Sequence, residues 1–191
     1  MTFGVGARLL LVRHAMPETD PDTPPEQWHL GPEGRAAARA LARLIAEPRA
    51  GHYVASTEPK AVETLREIAP HAPIATDAGF AEVRRPRAWT DDVTYRAAAR
   101  AYIEGDTASR DGWEARDEVV GRFDAAVARH AGRAAASGVT LVVGTHGLAP
   151  TLWLAARVGL RPSPGAFWAS LRFPDVVEVD PRRKSVRRLP A

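Results

Sequence analysis

Short apolar runs alternate along this chain with longer segments in which apolar residues recur every three or four positions. The runs Arg8–Val12 and Val139–Val143 have strand length, and they predict two buried strands. Tyr53–Ala55 and Pro73–Ala75 predict two shorter strands. Because predicted strands and helices alternate, we expect an α/β fold: a three-layer sandwich whose mostly parallel central sheet has helices on both faces, in one domain spanning residues 1–191.

Segments with helical periodicity separate these strands. The predicted helices are Pro32–Ala46, Pro59–Ala69, Asp91–Ile103, Gly112–Ala135 and Leu148–Val158. Phe80–Trp89 is predicted to be irregular, and Phe167–Phe173 is predicted to be a last long strand. Val176–Val179 and Ser185–Leu189 predict a terminal hairpin with Asp180–Arg183 as its turn.

Composition narrows the possible classes of protein. The chain has 191 residues, of which 45% are hydrophobic, and this indicates a globular domain with one substantial core. It contains 0 cysteines, which excludes disulfides, thiolate metal sites and cysteine-based phosphatase chemistry. No apolar run reaches the length of a membrane span and no signal-peptide pattern is seen, so we expect a cytoplasmic protein without a membrane partner.

The positive charge of the chain does not by itself indicate a polyanionic partner. The formal net charge is +3, and the only lysines are Lys60 and Lys184. The arginines alternate with acidic residues, as on a solvated surface. The exception is a basic cluster of Arg182–Lys184 with Arg187 and Arg188, which falls on the predicted hairpin. We therefore expect no nucleic-acid partner, and a steep salt dependence of nucleic-acid binding would support the alternative.

Two histidines directly follow predicted buried strands. Arg13 and His14 follow the first strand, and His146 follows Gly144 and Thr145 after the strand Val139–Val143. Ligands of α/β proteins bind at the carboxyl edge of the sheet, where these side chains would lie. Imidazole and guanidinium together favour a site for an anionic group, with imidazole as nucleophile or base.

The remaining histidines and acids predict no metal site. His29, His52, His71 and His130 are assigned to loops or helix ends and are expected at the surface. The sequence shows no His-x-x-x-His motif and no carboxylate cluster with the spacing of metal ligands.

Four segments in order resemble the histidine phosphatase superfamily, also called the phosphoglycerate mutase-like family. They are Leu11–Ala15, the Ser-x-x-x-basic-Ala-x-x-Thr segment Ser56–Thr64, the acidic residue Glu82 and the pair His146–Gly147. The resemblance covers nearly the whole chain and implies a phosphoglycerate mutase-like fold.

The resemblance also implies a reaction. It assigns the nucleophile to His14 and implies metal-independent hydrolysis of a phosphomonoester through a phosphohistidine, without a cofactor. The substrate would be a phosphorylated small molecule or a phosphoprotein. Two alternatives stay open: a cofactor-dependent mutase that transfers the phosphoryl group, and a member of the fold that binds a phospholigand without turnover.

Further roles follow from the same resemblance. Arg13 and His146 would donate to phosphate oxygens, and the backbone at Gly147 begins a helix that favours an anion. Glu82 would be the general acid and, as a carboxylate, would activate water. Asp77 and Asp91 are alternative candidates for that acid.

Lys60 departs from the family pattern, which usually has arginine at this position. Lysine keeps the positive charge and loses the bidentate geometry of a guanidinium, so we assign Lys60 to phosphate binding as a point charge. In the alternative, Lys60 is solvated and another arginine such as Arg66 serves.

The segment after the general acid supplies candidate substrate contacts. Arg84, Arg85, Arg87 and Trp89 either bind a second acidic group of the substrate or form a solvated loop.

Overall fold

A six-stranded sheet forms the centre of the molecule. In the computed structural model the described residues are 8–45, 51–86, 91–105, 112–180 and 182–190. The strands are β1 (Leu9–Arg13), β2 (Gly51–Ala55), β3 (Ile74–Thr76), β4 (Thr140–Thr145), β5 (Asp175–Asp180) and β6 (Ser185–Arg188). Their spatial order is β3-β2-β4-β1-β5-β6. The first four are parallel, and β5 and β6 each pair antiparallel with their neighbour, so the predicted mostly parallel sheet is confirmed.

Six helices surround the sheet in the described part of the chain. They are α1 (Pro32–Ile45), α2 (Pro59–Ile68), α3 (Asp92–Glu104), α4 (Arg116–Ala136), α5 (Leu148–Arg157) and α6 (Pro164–Ser170). Two short 3₁₀ turns lie at Pro25–Gln27 and Ala78–Phe80. Among the residues described, no helix is long and apolar enough to cross a membrane.

The predicted strand Phe167–Phe173 is wrong, because most of this segment lies in α6. The hydroxyl of Ser163 accepts a hydrogen bond from the backbone N–H of Ala166, and Pro164 occupies the first helical turn. A capping serine followed by proline is a helix start signal. The apolar residues of 167–173 predict a strand, and the helix start signal immediately before them outweighs that prediction.

Alternating side chains of β1 supply both hydrophobic layers. Leu9 and Leu11 are buried on one face of the sheet, in the core that includes residues of α3, α4 and α5. Leu10 and Val12 are buried on the other face, with residues of α1 and α2. This period of two is the geometry of a strand covered on both faces. Each such side chain contributes roughly 1.5–3 kcal/mol on burial.

The two predicted site strands are neighbours, and they end together. β1 and β4 pair in parallel with Arg13 opposite Thr145. The backbone N–H of His14 then donates to the carbonyl of Thr145 at 2.9 Å. Parallel register therefore brings His14 and His146 to the same carboxyl edge of the sheet.

Candidate active site

His14 is a buried imidazole with a fixed tautomer. Its Nδ1 lies 2.8 Å from the carbonyl oxygen of Ala15. Because a carbonyl only accepts, the proton is on Nδ1 and Nε2 carries the lone pair. Burial, together with the nearby His146 and Lys60, places the pKa of His14 well below its ordinary value. At neutral pH the side chain is therefore an uncharged imidazole with a free nucleophilic nitrogen.

His146 has the opposite tautomer. Its Nε2 lies 2.8 Å from Ser56 Oγ and 3.1 Å from Glu58 Oε1. A carboxylate accepts, so the proton is on Nε2, and the buried Nδ1 has no hydrogen-bond partner among the described residues. Burial and the charge of Lys60 lower the pKa of His146 to about 3. The rings of His146 and His14 meet edge to face, with their centroids 5.2 Å apart.

Arg13 is held flat at the same edge. One Nη donates to the carbonyl of Leu171 at 2.9 Å, and the guanidinium carbon lies 3.4 Å from the centre of the Phe173 ring. Burial lowers the pKa of Arg13 to about 10, which leaves it charged at neutral pH. A Cβ at Gly147 would lie 3.4 Å from Arg13 Nη2 and 3.0 Å from the Trp168 indole nitrogen, so glycine leaves room for both.

Glu82 occupies the amino end of α5. Its carboxylate accepts from the backbone N–H groups of Gly147 at 3.0 Å, Leu148 at 3.0 Å and Ala149 at 2.8 Å. Burial opposes ionisation, but the neighbouring His146 and the N–H groups of Leu148 and Ala149 outweigh it and lower the pKa of Glu82 to about 2. From the sequence, this helix terminus is expected to bind phosphate. In the structure, the carboxylate of Glu82 binds there.

Arg122 of α4 holds the backbone that carries Glu82. Its Nη1 donates to the carbonyls of Gly79 and Ala81, and its Nη2 donates to the carbonyl of Glu82. The same guanidinium binds the Glu114 carboxylate in bidentate fashion at 2.8 and 3.0 Å. This role of Arg122 could not be predicted from the sequence, because one more arginine on a long helix resembles a surface residue.

Asp77 and Asp91, the alternative acids, are engaged elsewhere. Asp77 is paired with Arg129 and His130. Asp91 caps α3 by accepting the backbone N–H of Thr94 at 2.9 Å. Neither carboxylate contacts the amino end of α5, where Glu82 lies.

Lys60 is buried on the first turn of α2 and is not solvated. It is 5% exposed, and its Nζ lies 2.5 Å from Glu58 Oε2 and 2.6 Å from the carbonyl oxygen of Pro25. Arg66, the alternative, lines an outer surface groove with Glu67. The structure thus brings Lys60 and Glu58 to the floor of the site, and sequence reasoning missed Glu58.

Comparison with known families decides the relationship that this constellation suggests. Residues 9–177 match the family model described as histidine phosphatase superfamily (branch 1). The chain belongs to the histidine phosphatase superfamily. No curated protein shows a significant match to it.

Solved structures share the fold of this superfamily member at low sequence identity. A mycobacterial glucosyl-3-phosphoglycerate phosphatase is 20% identical with a TM-score of 0.71, covering 95% of this chain and 96% of that one. A phosphoglycerate mutase from Bacillus anthracis str. Sterne is 12% identical with a TM-score of 0.70, covering 97% and 92%. A putative alpha-ribazole-5'-P phosphatase from Escherichia coli K-12 is 16% identical with a TM-score of 0.64, covering 96% and 94%. These likenesses establish a phosphoglycerate mutase-like fold.

The candidate substrate residues of this histidine phosphatase fold are only partly described. Arg84 extends into solvent and approaches Glu114, while the Arg85 guanidinium lies 4.9 Å from the centre of the Tyr95 ring. Arg87 and Trp89 lie outside the described residues.

No cluster that would suit a metal ion is found in the described ranges. In that part of the chain, no three or more His, Cys, Asp or Glu side chains come together so that they could hold a metal ion. The basic and acidic groups of the site instead contact one another and the backbone.

Proposed function

We propose that this protein is a phosphatase that hydrolyses a phosphomonoester through a phosphohistidine on His14, without a metal ion. The observation that carries the proposal is the state of His14. Its Nδ1 is engaged by Ala15, it is neutral, and its free Nε2 lies in a site with two cations, Arg13 and Lys60. A neutral imidazole attacks phosphorus directly, so the nucleophile needs no metal to form it.

In the first step His14 Nε2 forms a bond to phosphorus while the bond to the ester oxygen breaks. Arg13 and Lys60 supply positive charge, which offsets the negative charge of the transferring group. His146 lies against the His14 ring and borders the same group. The products of this step are phospho-His14 and the leaving group, which requires a proton.

Glu82 supplies that proton and later removes one from water. The carboxyl is ionised in the ligand-free site, and a phosphoryl dianion next to it raises its pKa by like-charge repulsion, which favours proton uptake. After the leaving oxygen takes the proton, the Glu82 carboxylate accepts a proton from the water that attacks phospho-His14. This releases inorganic phosphate and restores the imidazole.

The substrate proposed is a small phosphorylated molecule. One neighbour in fold is a glucosyl-3-phosphoglycerate phosphatase, and its name supports this class of substrate. Arg84 and Arg85 lie two and three positions after Glu82 in the sequence. Their positive charge suits a second acidic group on the substrate. We assign them to substrate binding within this proposal.

Hydrolysis of p-nitrophenyl phosphate with EDTA present tests the proposal, across about pH 5 to 8, where an ordinary imidazole changes charge. We expect wild-type turnover, and we expect His14→Ala to lower kcat/KM by at least about a thousandfold. His52→Ala is the control, because His52 lies near the amino end of β2. Loss of turnover with EDTA, or full activity in His14→Ala, would contradict the proposal. Phosphate binding that depends on His14 without any turnover would support the non-catalytic alternative.

A further inference from the structure

Glu58 is a buried carboxylate that contacts three groups of the site. It is 8% exposed. Its Oε2 lies 2.5 Å from Lys60 Nζ. Its Oε1 lies 3.1 Å from His146 Nε2 and accepts the backbone N–H of Glu82 at 2.8 Å. These contacts join the start of α2, the end of β4 and the loop that carries Glu82.

The ionised groups of the ligand-free site balance one another. Arg13 and Lys60 are positive, Glu58 and Glu82 are negative, and the two site histidines are neutral. The charges of these four groups sum to zero, while Arg85 and Arg122 add positive charge nearby and Asp175 and Glu114 add negative charge. Among the oppositely charged groups of the site, Glu58 and Lys60 make the closest contact. Coulomb attraction between a cation and phosphate is reduced wherever another anion already lies next to the cation.

Resting on the phosphatase function above, we propose that Glu58 is an internal counter-anion that sets a low affinity of this site for phosphate. It engages the charge of Lys60 and the Nε2–H of His146, and a phosphoryl group must compete with it for both. Weak binding of phosphate in the ground state favours release of the product. Arg13 and Lys60 then stabilise the transition state, where negative charge is redistributed, more than they stabilise the bound ground state.

The same pairing accounts for lysine at position 60. An ammonium has three donors, and those of Lys60 contact Glu58 and the Pro25 carbonyl, which leaves one for a phosphate oxygen. A guanidinium has five donors in a rigid plane and would need more acceptors in this buried position. Glu58, at the N-cap of α2, and Lys60, on its first turn, thus act as one unit.

Titration calorimetry with inorganic phosphate at about pH 8, above the second pKa of a phosphate group, tests this unit. We expect Glu58→Gln to bind phosphate about tenfold more tightly than wild type, because one like charge is removed. Lys60→Met should bind about tenfold more weakly, because it leaves Glu58 uncompensated. The double variant should lie within about threefold of wild type, because both charges are removed. Glu63→Gln is the control, since Glu63 lies on α2 and pairs with Arg35 and His29.

Two results would overturn the proposal. One is a Glu58→Gln variant that binds phosphate no more tightly than wild type while its thermal midpoint is unchanged. The other is a double variant as weak as Lys60→Met, which would make Glu58 a structural partner only. If Glu58→Gln does not fold, the double variant, which has no buried charge left unpaired, decides the question. Calorimetry needs no turnover, so failure of the phosphatase function is recognised separately by the turnover assay.

Discussion

Two pairs of histidines in this molecule have nearly the same ring separation, 5.2 Å for His14 and His146 and 5.1 Å for His52 and His130. In the second pair, His52 Nε2 lies 2.9 Å from His130 Nδ1, and His130 Nε2 lies 3.1 Å from Asp77. Both nitrogens of His130 are thus engaged by neighbours. In the first pair, His14 Nε2 and His146 Nδ1 make no hydrogen bond among the described residues.

Under the proposed function, this difference separates the reactive imidazole of His14 from the structural one of His130. Burial is similar, since His14 is 7% exposed and His130 is 4% exposed. What differs is how many ring nitrogens the protein itself satisfies. The buried His146 Nδ1 has no partner among the described residues, which costs free energy and calls for a functional explanation. The two acids differ in position and not in how far they are satisfied: Glu82 accepts backbone N–H groups beside His146, and Asp77 binds His130 and Arg129.

Within this comparison, the largest expected effect separates the two acids. Glu82→Gln should lower kcat by about a hundredfold or more, because an amide neither gives nor takes the proton. Asp77→Asn should leave kcat within about threefold and should lower stability, because it breaks the contacts with Arg129 and His130. Steady-state kinetics and urea unfolding of both variants test this. A larger loss of kcat in Asp77→Asn would reverse the assignment of the two acids.

A smaller effect is expected from Arg122, which holds the backbone that carries Glu82. Arg122→Met removes the donors that hold the Glu82 backbone while keeping an unbranched apolar stem. We expect kcat to fall about tenfold with little change in KM, because the general acid loses its position and the phosphate contacts remain. Arg129→Met, which loses the contact with Asp77, is the matched variant. A change confined to KM would argue against a positioning role.

A third prediction concerns stability and pH, and no change of activity. The pKa of His146 is lowered to about 3, so its unfolded state binds a proton more readily than the folded state does. The stability this gives is fully present above the ordinary pKa near 6.5 and is lost as pH falls from about 6.5 toward 3, by about 1.4 kcal/mol per pH unit. His14 shifts in the same direction and adds to the loss.

Urea unfolding at about pH 7 and pH 5 measures this dependence. His146→Gln should reduce the slope of unfolding free energy against pH by about one proton. His52 also has a lowered pKa, caused by burial and by His130, but it is only partly buried, so solvent screening reduces its contribution. An unchanged slope in His146→Gln would show that His146 is not the buried neutral group described here.

The two site strands could be predicted because their signal is local. Apolar runs followed by His14 and His146 indicate strands that end in a site, and parallel register then brings the ends together. The contact of Glu58 with His146 was not predictable, since it joins residues far apart in sequence through the packing of α2 on the sheet. The surface position expected for His130 is wrong because position 130 falls on the buried face of α4. That face also includes Val127 and Ala134, a helical spacing that the sequence does show.

Trapping the phosphoenzyme tests the central claim most directly. Wild type and Glu82→Gln would be mixed with a radiolabelled phosphomonoester, quenched within one turnover and digested for peptide mapping. The account predicts an acid-labile phosphoryl group on His14, and more of it in Glu82→Gln, because attack by water is slowed. Turnover with no phosphoryl group on His14, or with the group on His146, would contradict the account.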